Sequence, residues 1–166
     1  MIRAIFLDVD GTLISFSTHE IPASALRALA QAHERGVRLF IATGRAANDL
    51  GPLEGILYDG VVSLNGARCV ANDGRVVSLH PIPRADFERA LALSEEQGFA
   101  MGLELEEGVF VNRVTPDVER VAHMVAHPVP EQTDLRELFG RVECCQLCFY
   151  FDAETQRRVM AELPTL

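Results

Sequence analysis

The first half of the sequence alternates apolar runs with a segment of helical periodicity. Residues 2–9 form an almost continuous apolar run, and residues 37–42 and 60–64 form two more. Runs without polar alternation suit strands that are buried on both faces of a parallel sheet. Residues 22–35 carry apolar positions at helical spacing, and Gly36 suits the end of that helix. This order predicts an α/β fold with a doubly wound, Rossmann-like sheet.

A change of pattern marks the middle of the chain. Residues 68–79 hold two short apolar segments on either side of Asn-Asp-Gly, which predicts a hairpin. Residues 80–83 read His-Pro-Ile-Pro, and each proline disfavours regular structure around it, which indicates a linker. We therefore predict two domains, residues 1–81 and residues 82–166.

The pattern beyond the linker is of the α+β type, with helices and strands in mixed order. The predicted strands cover residues 99–105, 109–112 and 142–151. The predicted helices cover residues 84–97, a segment that starts at Thr115 and Pro116, and a segment from the cap Asp152 to Leu163.

Two aspartates stand directly after the first predicted strand, where residues 8–13 read Asp-Val-Asp-Gly-Thr-Leu. Ligand sites in open α/β sheets lie at the carboxyl ends of the strands. Two carboxylates this close repel each other and favour a cation between them. The alternative is an Asp-Gly turn with both aspartates merely solvated, but the buried strand before them favours a site. Asp8 and Asp10 are therefore the first candidates for chemistry.

A second motif stands at the end of the next strand, where residues 41–45 read Ile-Ala-Thr-Gly-Arg. A hydroxyl, a glycine amide and a helix start suit a phosphate oxygen, and Arg45 adds a guanidinium. Taken alone, the motif fits a capped helix start equally well. Its place beside the two aspartates favours a phosphate site that includes Thr43 and Gly44.

Composition narrows the range of partners. The chain has 15 basic and 24 acidic residues, a formal net charge of −9, and arginine at every basic position. An acidic chain without a basic run disfavours nucleic-acid binding. The sequence shows neither an apolar stretch of membrane-spanning length nor a signal-peptide pattern. We expect a cytoplasmic protein with four reduced cysteines and with no nucleic-acid or membrane partner.

These motifs resemble the haloacid dehalogenase (HAD) superfamily of phosphohydrolases, and specifically its Cof-like branch. Residues 8–13 and 42–45 match the first two motifs, and residues 63–67 read Ser-Leu-Asn-Gly-Ala, an element typical of that branch. The resemblance implies the N-terminal part of a Rossmann-like HAD core over residues 1–81. It also implies an inserted α/β cap over residues 82–166, with both domains incomplete.

The resemblance implies roles for individual residues. Asp8 would be the nucleophile that forms an aspartyl-phosphate, and Asp10 would protonate the leaving oxygen and then activate water. Mg²⁺ would be held by the Asp8 carboxylate and the Asp10 backbone carbonyl. The expected substrates are small phosphorylated metabolites, such as sugar phosphates or phosphorylated cofactors. Phosphate and substrate contacts would come from Thr43, Gly44, Arg45 and Asn65.

The sequence departs from the family pattern after the cap-like region. The family has there a motif with a lysine, sometimes an arginine, and a Gly-Asp motif, whereas this chain has no lysine and ends in cap-like sequence. We expect the N-terminal part of a longer enzyme, nearly inactive by itself. Its first strand, residues 2–9, would form an open edge that promotes self-association. The alternatives are a non-catalytic binding module and a mutase-like phosphotransferase.

Cysteine and histidine patterns give weaker signals. Cys144, Cys145 and Cys148 could form half of a zinc site, but their apolar strand favours buried structural thiols. His123 and His127 stand four residues apart on a predicted helix and could pair on a metal. The HExxH pattern is absent from the sequence, so we expect solvated histidines.

Overall fold

Two compact units, Met1–His80 and Pro81–Leu166, make up the computed structural model of the chain. The structure describes residues 2–15, 17–18, 20–53, 55–125 and 127–162. The division falls in the proline-containing segment that the sequence marks as a linker. That the two units are a catalytic core and a cap stays a prediction.

A five-stranded sheet forms the centre of the first unit. Its strands, in spatial order, are β1 (Ala4–Leu7), β2 (Arg38–Ala42), β3 (Gly60–Ser63), β4 (Arg68–Ala71) and β5 (Val76–Leu79). The first three strands pair in parallel, and β4 and β5 continue the sheet as an antiparallel hairpin. Parallel strands end at the same edge of a sheet. Residues that follow β1, β2 and β3 are therefore brought to one edge.

The crossover from β1 to β2 contains α1 (Ala23–Glu34), close to the predicted helix. Gly36 follows the helix with a φ of 80°, in the left-handed region that glycine adopts without strain. The buried core of this unit includes Val9, Ile41 and Val61, and Leu29 of α1 packs half-buried against it. The core thus lies beneath the strand ends that carry the candidate motifs.

Strand β1 differs from the prediction of a strand buried on both faces. It is shorter than the apolar run, and the Phe6 side chain is 62% exposed while it stacks on Phe40 at 4.9 Å between ring centroids. Phe6 is exposed because β1 is the outermost strand of the sheet, where neighbouring elements do not cover all of its apolar residues. The predicted open edge is therefore observed within the residues that the structure describes.

The second unit has a four-stranded sheet with helices packed on it. The strands, in spatial order, are β8 (Glu131–Gln132), β7 (Gly108–Val111), β6 (Ala100–Leu105) and β9 (Gln146–Tyr150). The helices are α2 (Arg84–Gln97), α3 (Pro116–Met124), α4 (Leu135–Phe139) and α5 (Ala153–Glu162). None of the helices in the described part of the chain combines the length and the apolar character needed to cross a membrane.

Helix starts in the second unit follow the sequence closely. Helix α2 has the predicted bounds, and the Thr115 side chain caps α3 by accepting from the Val118 amide at 3.4 Å. The Asp152 carboxylate accepts from the Thr155 amide at 2.7 Å before α5. The predicted end of that helix at Leu163 lies outside the described residues. The two short elements, β8 and α4, were not predicted.

Candidate functional site

The predicted site residues of the first unit lie at the carboxyl ends of its three parallel strands. Asp8 and Asp10 follow β1, Thr43 and Arg45 follow β2, and Asn65 follows β3. Backbone hydrogen bonds and one ion pair join these three strand ends. The arrangement brings together residues that are up to 57 positions apart in sequence.

A tight turn follows β1 and holds both aspartates. The amides of Leu13 and Ile14 donate to the carbonyl of Val9, at 3.0 and 2.8 Å. The Gly11 amide donates to the Ile14 carbonyl at 2.8 Å. Gly11 has a φ of 78°, which favours glycine at this position. Val9 is buried and fixes the turn, whereas the aspartates on either side of it are exposed.

Asp8 has one carboxylate oxygen fixed by the turn itself. The Thr12 hydroxyl donates to Asp8 Oδ2 at 2.9 Å. This hydrogen bond limits rotation of the exposed carboxylate, because the donor belongs to the same tight turn. Thr12 was part of the sequence motif but was not assigned a role.

Asp10 forms a bidentate ion pair with Arg45. Arg45 Nε donates to Asp10 Oδ2 at 2.9 Å, and Nη2 donates to Oδ1 at 2.8 Å. The hydrogen bonds from Arg45, more than its charge, hold the pKa of Asp10 below its ordinary value and raise the pKa of Arg45 in turn. Asp10 therefore rests as a carboxylate at neutral pH. The sequence predicted that Arg45 contacts the phosphate or the substrate, whereas in the structure its guanidinium pairs with the Asp10 carboxylate.

Arg45 has a second acidic partner that sequence analysis missed. Its Nη1 donates to the Asp49 backbone carbonyl at 3.2 Å and to the Asp49 carboxylate at 3.3 Å. Residues four apart form ion pairs readily on a helix, and the sequence predicted a helix start at this motif. The residues around Asp49 form turns instead, so the predicted helix is wrong and the pairing does not come from helical spacing.

The Thr-Gly-Arg turn after β2 is fixed mainly by its own backbone and by β3. The Thr43 amide donates to the Val62 carbonyl at 2.9 Å, and the Thr43 hydroxyl accepts from the Arg45 amide at 3.2 Å. Thr43 is 6% exposed, so this hydroxyl is held in one position at the base of the turn. Accepting one hydrogen bond leaves the hydroxyl able to donate its own proton to a phosphate oxygen.

Asn65 lies against this turn. Its backbone amide donates to the Thr43 carbonyl at 3.2 Å. A Cβ placed on Gly44 would lie 3.2 Å from the side-chain oxygen Oδ1 of Asn65. Asn65 and the preceding Leu64 have φ values of 53° and 50°, a region that asparagine adopts far more readily than leucine does. Glycine at position 44 thus lets the asparagine side chain approach the turn closely.

The oxygen donors after β1 fit a hard cation. Within the residues described, no group of three His, Cys, Asp or Glu side chains is arranged to hold a metal ion. Mg²⁺ is commonly held by one or two protein oxygens, with water and substrate phosphate completing its shell. The Asp8 carboxylate and the Asp10 backbone carbonyl are donors of that kind. These two oxygens therefore fit part of a magnesium coordination shell, which water and substrate phosphate would complete.

Two cysteines of the second unit, Cys144 and Cys148, have the properties of structural thiols. Cys144 is buried and donates to the Gln146 carbonyl at 3.2 Å, and burial raises its thiol pKa. Burial, together with the nearby Glu104, raises the pKa of Cys148 to about 12. Thiolate is the form that binds metals and attacks electrophiles, so these raised pKa values disfavour both activities. His123 and His127 are exposed, as expected.

Comparison with known proteins identifies the family. Haloacid dehalogenase-like hydrolases match residues 5–166. The chain is similar to BT1666 from Bacteroides thetaiotaomicron, described among HAD phosphatases, at 53% identity and a TM-score of 0.91 over 97% of this chain and 60% of that one. It is also similar to BT4131, a HAD subclass IIB sugar phosphatase, at 30% identity and a TM-score of 0.82, covering 98% and 64% of the two chains.

A curated relative matches a shorter stretch. YkrA of Bacillus subtilis (strain 168), named as a candidate phosphatase, is 30% identical over 95 residues, which are 57% of this chain and 36% of that protein. The chain thus spans less than two thirds of the length of each relative. The family match covers nearly all of it, and the chain belongs to the haloacid dehalogenase-like hydrolases, in their Cof-like branch.

Proposed function

We propose that this chain carries the nucleophile side of a magnesium-dependent phosphohydrolase site, which acts on small phosphorylated metabolites through an aspartyl-phosphate. One observation supports the proposal most directly. Two exposed aspartates follow β1 at the sheet edge where the Thr43 turn also lies, and one of them is oriented by Arg45. The residues that we propose as nucleophile, proton-transfer group and phosphate cradle thus lie at the same ends of the parallel strands.

In the first step, an Asp8 oxygen attacks the phosphorus of the substrate. The Thr12 hydroxyl already occupies Oδ2, so we assign the attack to Oδ1. The bond from phosphorus to the substrate oxygen breaks, and that oxygen takes a proton from the Asp10 carboxyl group. The products are an alcohol and an aspartyl-phosphate on Asp8.

In the second step, the Asp10 carboxylate takes a proton from water. The water oxygen attacks phosphorus, the bond to Asp8 breaks, and inorganic phosphate leaves with both aspartates restored. The lowered pKa of Asp10 suits this step, since the resting group is a carboxylate. For the first step it needs a proton, and an approaching phosphate dianion favours protonation by raising the carboxyl pKa.

The remaining residues would bind and orient the phosphoryl group. The Thr43 hydroxyl and the Gly44 amide would contact phosphate oxygens, and the exposed Asn65 would contact the substrate. The Asp8 carboxylate and the Asp10 carbonyl would hold Mg²⁺. The ion, when bound, neutralises negative charge on the phosphoryl group and on the nucleophile.

Sugar phosphates are the substrate class that we propose. The support is the similarity to BT4131, a sugar phosphatase, at 30% identity. The family contributes a lysine, sometimes an arginine, from a motif that follows the cap, and this chain contains no lysine. We therefore propose slow turnover by this chain alone, since loss of one charge-stabilising group costs about 10² to 10³ in rate. A cytoplasmic location stays an expectation from the sequence.

The experiment that tests the function compares Asp8→Asn with the wild-type chain on a set of sugar phosphates. Each is assayed with Mg²⁺ and after chelation. Asp8→Asn is expected to abolish turnover, because an amide cannot form the aspartyl-phosphate. Asp73→Asn is the matched control, since Asp73 lies on the surface in the turn between β4 and β5. Measurable turnover that is equal in Asp8→Asn and wild type would remove Asp8 as the nucleophile.

A further inference from the structure

The guanidinium of Arg45 is engaged through all three of its nitrogens. Nε and Nη2 contact the two carboxylate oxygens of Asp10, at 2.9 and 2.8 Å. Nη1 contacts the carbonyl and the carboxylate of Asp49, at 3.2 and 3.3 Å. A guanidinium has five N–H donors in one plane. Arg45 therefore could not bind a phosphoryl group through its fork without releasing one of the two aspartates.

A bidentate contact fixes the plane of a carboxylate, which a single contact does not. This matters for Asp10, because its side chain is 44% exposed and sits on a turn. The Arg45 side chain is itself 24% exposed, and Asp49 holds it from the other end of the guanidinium. The order of contacts is therefore Asp49 to Arg45 to Asp10. An ion pair this exposed contributes little to stability, so its orientation effect is the larger consequence.

We propose that Arg45 is a positioning residue for Asp10 and that Asp49 positions Arg45. This inference rests on the proposed function, in which Asp10 transfers protons to the leaving oxygen and from water. Proton transfer needs the carboxyl group within hydrogen-bond reach of the reacting oxygen. Arg45 satisfies that need by fixing the carboxylate plane, and its contacts with the two aspartates leave it no bidentate contact for a phosphate.

The kinetic test compares two substrates that differ in their need for a proton. The p-nitrophenolate of p-nitrophenyl phosphate leaves without one, whereas a primary alkyl phosphate needs the proton from Asp10. The constant kcat/KM reports the steps up to release of the leaving group. Arg45→Lys keeps the charge but not the planar fork. It should lower kcat/KM about 10²-fold for the alkyl phosphate and about threefold or less for the aryl phosphate.

Asp49→Asn should lower kcat/KM for the alkyl phosphate about tenfold, one tenth of the loss in Arg45→Lys, because the guanidinium contact with Asp10 stays in place. Its effect on the aryl phosphate should again be much smaller. Asp117→Asn is the matched control, since Asp117 also pairs with an arginine, at 2.6 Å, but in the second unit. It should leave the ratio of the two kcat/KM values unchanged. Equal losses on both substrates would make Arg45 a phosphate ligand and overturn the proposal, as would the absence of any loss.

A second measurement does not depend on turnover. The Arg45 Nε–H group of the ¹⁵N-labelled chain should exchange with water more slowly than that of Arg75, whose side chain is 69% exposed. Asp49→Asn should speed this exchange about threefold, the size expected from one ion pair. Unchanged exchange in that variant would overturn the positioning role of Asp49. Wild-type turnover that does not depend on Asp8 would instead contradict the proposed function, and the exchange measurement would still decide the positioning.

Discussion

The two units differ in how far their characteristic polar groups are exposed. In the first unit the candidate site residues Asp8, Asp10 and Asn65 are exposed at the carboxyl ends of the parallel strands. The outermost strand, β1, leaves Phe6 largely exposed. In the second unit, polar groups tie the structure together. Asn112 accepts from the Met101 amide at 2.9 Å and donates to the buried Ser94 hydroxyl at 3.0 Å.

Packing follows the same division. Both faces of β6 are covered, because Met101 and Leu103 belong to the core with α2, while Ala100 packs with residues of α3 and β9. Helix α1 of the first unit, by contrast, has no fully buried residue. The comparison indicates that the candidate site residues lie in the unit whose central helix is less deeply buried.

The largest effect is expected from truncating the core of the second unit. Phe87 is fully buried in α2 and stacks on Phe139 at 4.0 Å between centroids. Phe87→Ala should lower the free energy of unfolding by about 3–5 kcal/mol, through lost burial and the cavity left behind. Phe6→Ala in the first unit should cost about 1 kcal/mol or less, because that ring is mostly exposed. Urea unfolding of both variants measures the difference, and similar losses would contradict the contrast.

An intermediate effect is expected from two asparagines, one in each unit. Asn112→Ala should cost about 1–3 kcal/mol, because the Met101 amide and the Ser94 hydroxyl lose their partner. Asn65→Gly accepts the positive φ and removes the side-chain amide that we propose contacts the substrate, so it should weaken substrate binding. Thermal unfolding measures the first effect, and KM for a sugar phosphate measures the second; an unchanged KM in Asn65→Gly would break the comparison.

The smallest effect concerns self-association through β1. We expect a dimer or larger assembly in sedimentation experiments across a dilution series, because an apolar edge strand recruits another strand. Phe6→Lys should weaken association about tenfold, since an exposed edge lysine opposes strand pairing. Val77→Lys is the control, as Val77 is 59% exposed on β5 at the opposite edge of the same sheet. A compact monomer at micromolar concentration would contradict the prediction.

Local signals in the sequence predicted the parts of the fold that depend on local physics. The bounds of α2 and the Thr115 cap came from helical spacing and capping preferences. The short helix α4 was missed, although Asp134 caps it by accepting from two amides. Five residues are too few for a periodic pattern, and Arg136 of this helix pairs with Glu95, 41 positions away.

The candidate site shows the same limit. Motif spacing and strand ends placed Asp8, Asp10 and Thr43 at one sheet edge, which is a consequence of parallel pairing. The pairing of Asp10 with Arg45 joins two turns 35 positions apart, and no local pattern specifies it. The exposure of β1 was missed for a related reason: an apolar run predicts a strand, but its neighbours in space decide how much of it is covered.

The close approach of Asn65 to the turn after β2 makes two distant positions interdependent. A Cβ at position 44 would meet the Asn65 side chain at 3.2 Å, so any larger residue there asks position 65 to withdraw or to shrink. Among descendants of this sequence, changes at positions 44 and 65 would therefore be accepted in pairs more readily than singly. Covariation of positions 44 and 65 is thus expected, although neither position lies in the other's motif.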